Sequence, residues 1–313
     1  MKHPSLGRRS RIGLAALLTA LAIAGSGCAG AGRGVTSNGK IVAVGAENQY
    51  ANVIAQVGGA YVQVTAVESN PNTDPHTFEA SPGIAETVAS AGLVVQNGLG
   101  YDTFMERIES ASPNARRKVL DVQKLLRLPD STPNPHLWYE PQTMPAVAGA
   151  VAAELTTLQP AHGAYFHANA AAFVRSLTPW YRALKQFAGE YPNTPVATTE
   201  PVGDYMLEAA GTVNLTPFGL QADIMNGVDP APQDVTVQND LFATHRVKAF
   251  VYNQQVTDSV TQSFLQAAER GGVPVVGVYE TMPTPGYDYQ SWMLAEVRAL
   301  RRAVADKVST RKL

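Results

Sequence analysis

Two histidines stand in matching loops. One loop reads Asn72-Thr73-Asp74-Pro75-His76-Thr77-Phe78-Glu79. The other, sixty residues on, reads Asn134-Pro135-His136-Leu137-Trp138-Tyr139-Glu140-Pro141. In each, a proline fixes its own φ and pushes the residue before it towards extended backbone, so the following histidine is presented from a stiff segment. Imidazole is a ligand for transition cations. Two such loops in a chain with six histidines suggest two ligands of one metal site; the alternative is two loop histidines near the surface. Two acids hold comparable positions. Glu200 directly follows the apolar run from Pro195 to Thr199, and Glu280 follows the run from Val275 to Tyr279. A carboxylate at the end of a buried strand is either an N-cap-like residue answering a helix dipole or a ligand facing a cleft between domains. Glu79 and Glu140 lie close in sequence to the histidines and read as solvated loop acids, with orientation of the imidazoles as the alternative role. His162 and His167 fall in a helical stretch and read as packed or solvated helix positions.

The elements that carry these residues alternate between strand and helix. Ile41 to Ala46 is a buried-strand pattern, followed by a helix from about Tyr50 to Val57 that Gly58-Gly59 closes. The run Tyr61 to Val67 leads into the His76 loop, and Ser81-Pro82 reads as an N-cap with proline at the first helical position. Leu93 to Gln96 and Lys118 to Leu120 are further short strands, with a helix from Asp102 to Ile108 between them. This order implies a parallel α/β sheet, and ligands of such sheets collect at the carboxyl ends of the strands. From Met144 to Ala188 the pattern is helical, broken at Pro160, with Pro179 expected to kink or split the second segment. The α/β alternation then resumes: strands at 195–199, 247–252 and 275–279, helices at 205–210 and 259–270, and a closing amphipathic helix from Tyr289 to about Val308.

A chain of 313 residues is long for one core, so two domains are expected. The apolar fraction of 45% and charged fraction of 16% describe a globular protein. The formal charge is −2; without the four basic residues that precede Cys28 the balance is 20 basic against 26 acidic, or −6. That argues against nucleic acid as a partner. Lys2, Arg8, Arg9 and Arg11 precede an apolar run, Ile12 to Ala24, too short for a membrane span and ended by small residues, as in a signal peptide. Gly25-Ser26-Gly27-Cys28 resembles a bacterial lipobox, with Gly25 in place of the usual leucine-like residue. Cys28 is the only cysteine, so it forms no intramolecular disulfide. The expected division is a signal peptide over 1–27, a lipid-anchored flexible tether over 28–39, an N-terminal α/β lobe over 40–158, a linker helix over 159–189 and a C-terminal α/β lobe over 190–313.

Taken nearly end to end, the mature chain resembles the metal-specific solute-binding lipoproteins of bacterial zinc/manganese ABC importers. The resemblance is carried by Asp74-Pro75-His76-Thr77-Phe78-Glu79, Asn97-Gly98-Leu99-Gly100, Asn134-Pro135-His136-Leu137-Trp138, and Pro160 with Tyr165 and Asn169. It continues through Thr199-Glu200 with Tyr205, Asp229 to Asp234, and Tyr252-Asn253-Gln254-Gln255-Val256. It implies two α/β lobes, each a parallel sheet flanked by helices, joined by a long rigid helix, with a metal ion between them. By position, the ligands it implies are His76, His136, Glu200 and Glu280. The family usually has aspartate at the last of these, and Asp288 in Gly286-Tyr287-Asp288-Tyr289 is the alternative to Glu280. Its zinc members often have histidine where this chain has Glu200, and often a histidine-rich loop between the first two ligands, which this chain lacks.

Two imidazoles and two carboxylates make a fairly hard donor set, which leans to Mn²⁺, while the intrinsic affinity order favours Zn²⁺ over Mn²⁺. The expected cargo is therefore Mn²⁺ or Zn²⁺. A metal-dependent envelope hydrolase is the main alternative; it would need an open coordination position and a nearby base, which four enclosing ligands would not leave. A metal-binding surface adhesin is the third reading. The transport reading implies a monomer that is extracytoplasmic, lipid-anchored to the membrane and partnered by an ABC permease.

Overall fold

A computed structural model describes residues 34–36, 38–72, 78, 81–283 and 285–313. Cys28 and the expected signal peptide, His76, and Glu79 lie outside the described residues.

The first sheet contains β1 (Ile41–Glu47), β2 (Val62–Glu68), β3 (Leu93–Gln96) and β4 (Lys118–Asp121), all parallel in the order β2-β1-β3-β4. Its connections are the helices α1 (Asn48–Gly58), α2 (Pro82–Ser90), α3 (Thr103–Ala111) and α4 (Val122–Leu125). The second sheet repeats the plan with β5 (Pro195–Thr198), β6 (Val213–Asn214), β7 (Ala249–Asn253) and β8 (Val275–Val278) in the order β6-β5-β7-β8, again all parallel. The helices α8 (Asp204–Ala209), α9 (Phe218–Met225), α10 (Pro232–Ala243), α11 (Ser259–Arg270) and α12 (Tyr289–Asp306) accompany it. Each sheet reverses its strand order beside its first strand, between β1 and β3 and between β5 and β7. Ligands settle at such reversals, beyond the carboxyl ends of the strands.

The strands β3, β7 and β8 are buried along their whole length, so they read as short apolar runs without alternation. Close packing is severe where β1 turns into α1: a β-carbon on Gly45 would overlap the backbone nitrogen of Ala51. The outer face of each sheet has its own apolar cluster, around Val44, Val94 and Phe104 in one lobe and Phe242, Phe250 and Phe264 in the other. Between the lobes a third cluster is continuous, running from Tyr50 and Trp138 through Phe166, Phe173 and Trp180 to Tyr289 and Trp292. All three tryptophans belong to it and are fully buried.

The connection between lobes is α5 (Thr143–Leu158), a single 3₁₀ turn at Pro160–His162, α6 (Gly163–Ser176) and α7 (Thr178–Glu190). The helical span predicted after Pro160 is divided at Leu177. Pro179 lies in the first turn of α7, where its missing N–H leaves no intrahelical bond unmade. Four further elements have no counterpart in the sequence reading, among them the single-turn helix α4. The strand β6 is two residues long with exposed Val213, too short for a period of two to register, while α9 and α10 fall in the stretch between strands that carried no periodic reading.

Candidate metal centre

Four of the expected residues fall among the described ones: two of them, His136 and Glu280, meet directly, and a third, Glu200, is linked to Glu280 through Asn253. His136 opens a short 3₁₀ turn (Leu137–Tyr139) after Pro135 and is fully buried. Its Nε2 stands 3.3 Å from Glu280 Oε2, also fully buried. Glu200 follows β5 and is 2% exposed. Asn253, the last residue of β7, joins the two acids: its Nδ2 donates to Glu200 Oε1 at 3.1 Å and to Glu280 Oε1 at 2.8 Å. The strand order β5-β7-β8 explains the arrangement, since parallel neighbours deliver their carboxyl ends side by side. Among the described residues alone, no three His, Cys, Asp or Glu side chains converge as a metal site.

The orientation of His136 is set by Asn134. Asn134 Oδ1 accepts the His136 backbone N–H at 3.0 Å and faces its Nδ1 at 2.8 Å, while Asn134 Nδ2 donates to the Pro201 carbonyl at 2.8 Å. These three contacts fix which end of the amide faces the ring. Nδ1 therefore carries the proton, and in the neutral imidazole Nε2 has a lone pair, directed at a carboxylate oxygen. Two acceptors face each other at Nε2 and Oε2, and a shared cation or a second ring proton reconciles them. Ligand atoms about 2.1 Å from one tetrahedral ion lie about 3.4 Å apart, so the observed 3.3 Å suits two ligands of a single cation.

Glu280 is held from every side. Tyr101 donates to its Oε2 at 2.9 Å. Gln255 Oε1 accepts its backbone N–H at 2.7 Å and that of Thr281 at 2.8 Å. From the other lobe, Gln49 Nε2 donates to its carbonyl at 3.1 Å. Tyr101 comes from a loop in which Gly98, Leu99 and Gly100 all have positive φ, of 80°, 54° and 73°. Leucine in that region is strained. The loop is fixed by Asp102, which accepts the N–H groups of Asn97 and Gly98, and by Gln123, which accepts that of Leu99. Burial raises Asp102 to about 7. Asn97 in turn donates to the Pro135 carbonyl at 2.8 Å and accepts from Tyr50 at 2.6 Å.

A row of amides on α1 continues this cross-lobe contact. Asn48 exchanges two 2.8 Å bonds with the Met282 backbone, Asn52 accepts the Tyr289 N–H at 3.1 Å, and Gln56 and Gln290 bond reciprocally at 3.0 and 2.9 Å. Positions 48, 49, 52 and 56 share one helical face. Behind His136, Tyr139 donates to the Tyr279 carbonyl at 2.9 Å and approaches Glu296 at 3.4 Å. Glu296 also accepts from Trp292 Nε1 at 2.9 Å, and burial pushes it up to about 8.

Asp288 does different work. It is partly exposed, is the N-cap of α12, and forms a capping box with Ser291. Glu140 accepts the Gln142 N–H at 3.4 Å and lines a surface groove with Leu126, Leu128 and Tyr205, as expected of a loop acid. His162 stacks on Tyr61 at 3.7 Å and His167 is exposed, both as read from the helical pattern. Asn134, Asn253, Gln255 and Gln49 are the residues whose roles sequence reasoning missed. The available signal was an uncharged polar residue standing just outside an apolar strand or just before a loop histidine.

Comparison with known proteins bears on the family and the fold. Residues 44–303 match the family described as ZnuA, zinc-uptake complex component A, periplasmic. Among curated proteins, a Thermotoga maritima protein described as metal-binding is 32% identical over 94 residues, covering 30% of this chain and 33% of that one. The zinc-binding protein TroA of Treponema pallidum is 26% identical over 129 residues, covering 40% of this chain and 42% of TroA. These alignments thus span less than half of either relative. Among solved structures, periplasmic zinc-binding TroA from Treponema pallidum superposes with a TM-score of 0.71 at 19% identity, over 86% of this chain and all (100%) of that one. The solute-binding protein FpvC of Pseudomonas aeruginosa, solved with Mn²⁺, gives 0.68 at 19%, over 85% and 98%. With two parallel four-stranded lobes, and a family match that covers most of its length, the chain belongs to the ZnuA family of zinc-uptake complex component A proteins.

Proposed function

We propose that this chain captures a divalent transition cation, Mn²⁺ or Zn²⁺, outside the cytoplasm and delivers it to a membrane ABC permease. The observation that carries the reading is the opposed pair His136 Nε2 and Glu280 Oε2, 3.3 Å apart, with the imidazole tautomer set by Asn134. In this reading His136, Glu200 and Glu280 are ligands, His76 from the loop after β2 completes the set, and Asp288 is structural. Two carboxylates favour Mn²⁺, and Zn²⁺ competes through its higher intrinsic affinity. The relatives described as binding zinc, and those solved with Mn²⁺ or cadmium, support this class of cargo.

The rest of the reading follows from the chain's N-terminus. A signal peptide over 1–27 directs export, lipidation of Cys28 holds the mature protein at the membrane, and residues 28–39 are the tether. A monomer is sufficient, because both lobes that form the site come from one chain. The enclosed position of His136, Glu200 and Glu280 favours binding over hydrolysis, which needs a coordination position open to water. The test is an equilibrium competition of Mn²⁺ and Zn²⁺ against a chromogenic chelator, with wild type beside His136→Ala. Tight 1:1 binding that His136→Ala abolishes is expected. No binding by the wild type overturns the proposal.

A further inference from the structure

The C-terminal end of the chain gathers cations on one surface. Along α12, Ser291, Ala295, Arg298 and Arg302 recur at the spacing of a single helical face. With Lys312, from the chain beyond the helix, they border a groove of about 580 Å³ that Arg301 also lines. The second wall is fixed by pairing. Lys307, at φ 57°, ends α12 and turns the chain back. Thr310 then lies along β8, the edge strand of its sheet: it donates to the Val275 carbonyl and accepts the Gly277 N–H, both at 2.8 Å. Ser309 Oγ accepts the Val275 N–H at 3.0 Å. Gly277 permits this approach, because a β-carbon there would overlap the Arg311 carbonyl oxygen. Acids take up only part of the charge. Glu190 of α7 holds Arg301 at 3.0 Å, and Glu269 pairs with Arg311. Arg298, Arg302 and Lys312 are exposed and form no ion pair among the described residues. From Arg298 to Leu313 there are six basic residues and a single acid, Asp306, whereas the rest of the chain after Cys28 has 14 basic against 25 acidic.

We propose that this groove is a docking surface for the phosphates of anionic phospholipid headgroups, laying the α12 side of the C-terminal lobe on a membrane. The planar guanidinium forks of Arg298 and Arg302 suit phosphate oxygens, and Lys312 adds a point charge. Cations near an anionic bilayer each strengthen binding about five-fold. The groove is walled by exposed side chains on a rigid helix and a paired tail, a form that meets an array of surface phosphates without enclosing one small anion. The acidic remainder of the chain is repelled by the same bilayer, so the charge asymmetry sets an orientation as well as an attraction. The choice of lipid as occupant rests on the reading of the chain as a protein held at a membrane.

The test is co-sedimentation of the chain from Cys28 onward, made without its leader so that Cys28 carries no lipid. One set of vesicles holds phosphatidylglycerol and phosphatidylcholine in equal parts, the other phosphatidylcholine alone. Wild type is expected to bind the first and not the second, and to be released as salt is raised. The variant Arg298→Gln/Arg302→Gln/Lys312→Gln should bind on the order of 100-fold more weakly. A control with the same change of charge, Arg107→Gln/Arg116→Gln/Lys118→Gln on exposed positions of the N-terminal lobe, should bind far more tightly than that variant. Circular dichroism checks the folding of both, and the comparison of vesicles and salt uses wild type alone. Absence of binding to the anionic vesicles, or equal losses in the two variants, overturns the proposal. Calorimetric binding of inorganic phosphate that the groove variant loses, without vesicle binding, overturns the lipid and assigns the groove to a soluble anion. Because the protein tested carries no lipid, each of these failures leaves both anchoring through Cys28 and the metal site standing; those are tested by lipidation of the full chain and by metal competition.

Discussion

His136 Nε2 and Glu280 Oε2 face each other at 3.3 Å although they are 144 residues apart in the chain. The first is carried on a loop fixed to Asn97 of the N-terminal lobe and the second on the strand end of β8, so the contact exists only because the lobes are packed as they are. Replacing either residue with alanine removes one donor of the proposed site. A loss of at least about 100-fold in Mn²⁺ affinity is expected for each, read by chelator competition, with unchanged circular dichroism as the control for folding.

Asp288 separates two accounts of the fourth ligand. As the N-cap of α12 in a capping box, its replacement by alanine should cost about 1 kcal/mol of stability. Metal affinity should stay at the wild-type level. A large loss of affinity in Asp288→Ala, with Glu280→Ala silent, would move the ligand from Glu280 to Asp288.

Asn253 spans the two acids with a single amide. Such supporting hydrogen bonds typically contribute 10–100-fold to metal affinity, so Asn253→Ala should weaken Mn²⁺ binding by roughly that factor. The same applies to Asn134→Ala, which frees the His136 ring to change tautomer. Affinities within a factor of about two of wild type in both variants would show that neither amide orients a ligand.

Glu296 links pH to stability. Its folded-state value is raised from 4.5 to about 8 by burial. The folded protein therefore binds the proton more tightly than the unfolded chain, and stability falls as pH rises between 4.5 and about 8. The slope from this group is on the order of 1 kcal/mol per pH unit in that window. Glu296→Gln keeps the shape and removes the titration. Denaturant unfolding across this range should show a flatter profile for the variant, with the advantage of Gln greatest at the alkaline end. Parallel profiles for the two proteins would mean that Glu296 is not the titrating group.

Much of the fold was legible locally. Buried parallel strands appear as short apolar runs, and Ser81 stands at the N-cap position, without a side-chain capping bond, ahead of Pro82 in the first turn. Pro179 divides the helical linker near where the ring forbids an intrahelical bond. The candidate residues were legible too, since His136, Glu200 and Glu280 each follow a proline or an apolar strand. Those signals act over a few residues, which is why they survive in a single sequence. The sequence alone put Glu280 first by resemblance and kept Asp288 as its alternative, and gave no role to Asn253, Gln255, Asn48 or Gln49. The two acids are distinguished by what packs against them. Asp288 meets the first turn of its own helix, whereas Glu280 meets Asn253, Tyr101 and His136 from strands and loops far away in the chain. The choice between ligand and cap depends on how two sheets and their shared core bring distant strand ends together, and no local period or propensity encodes that distance.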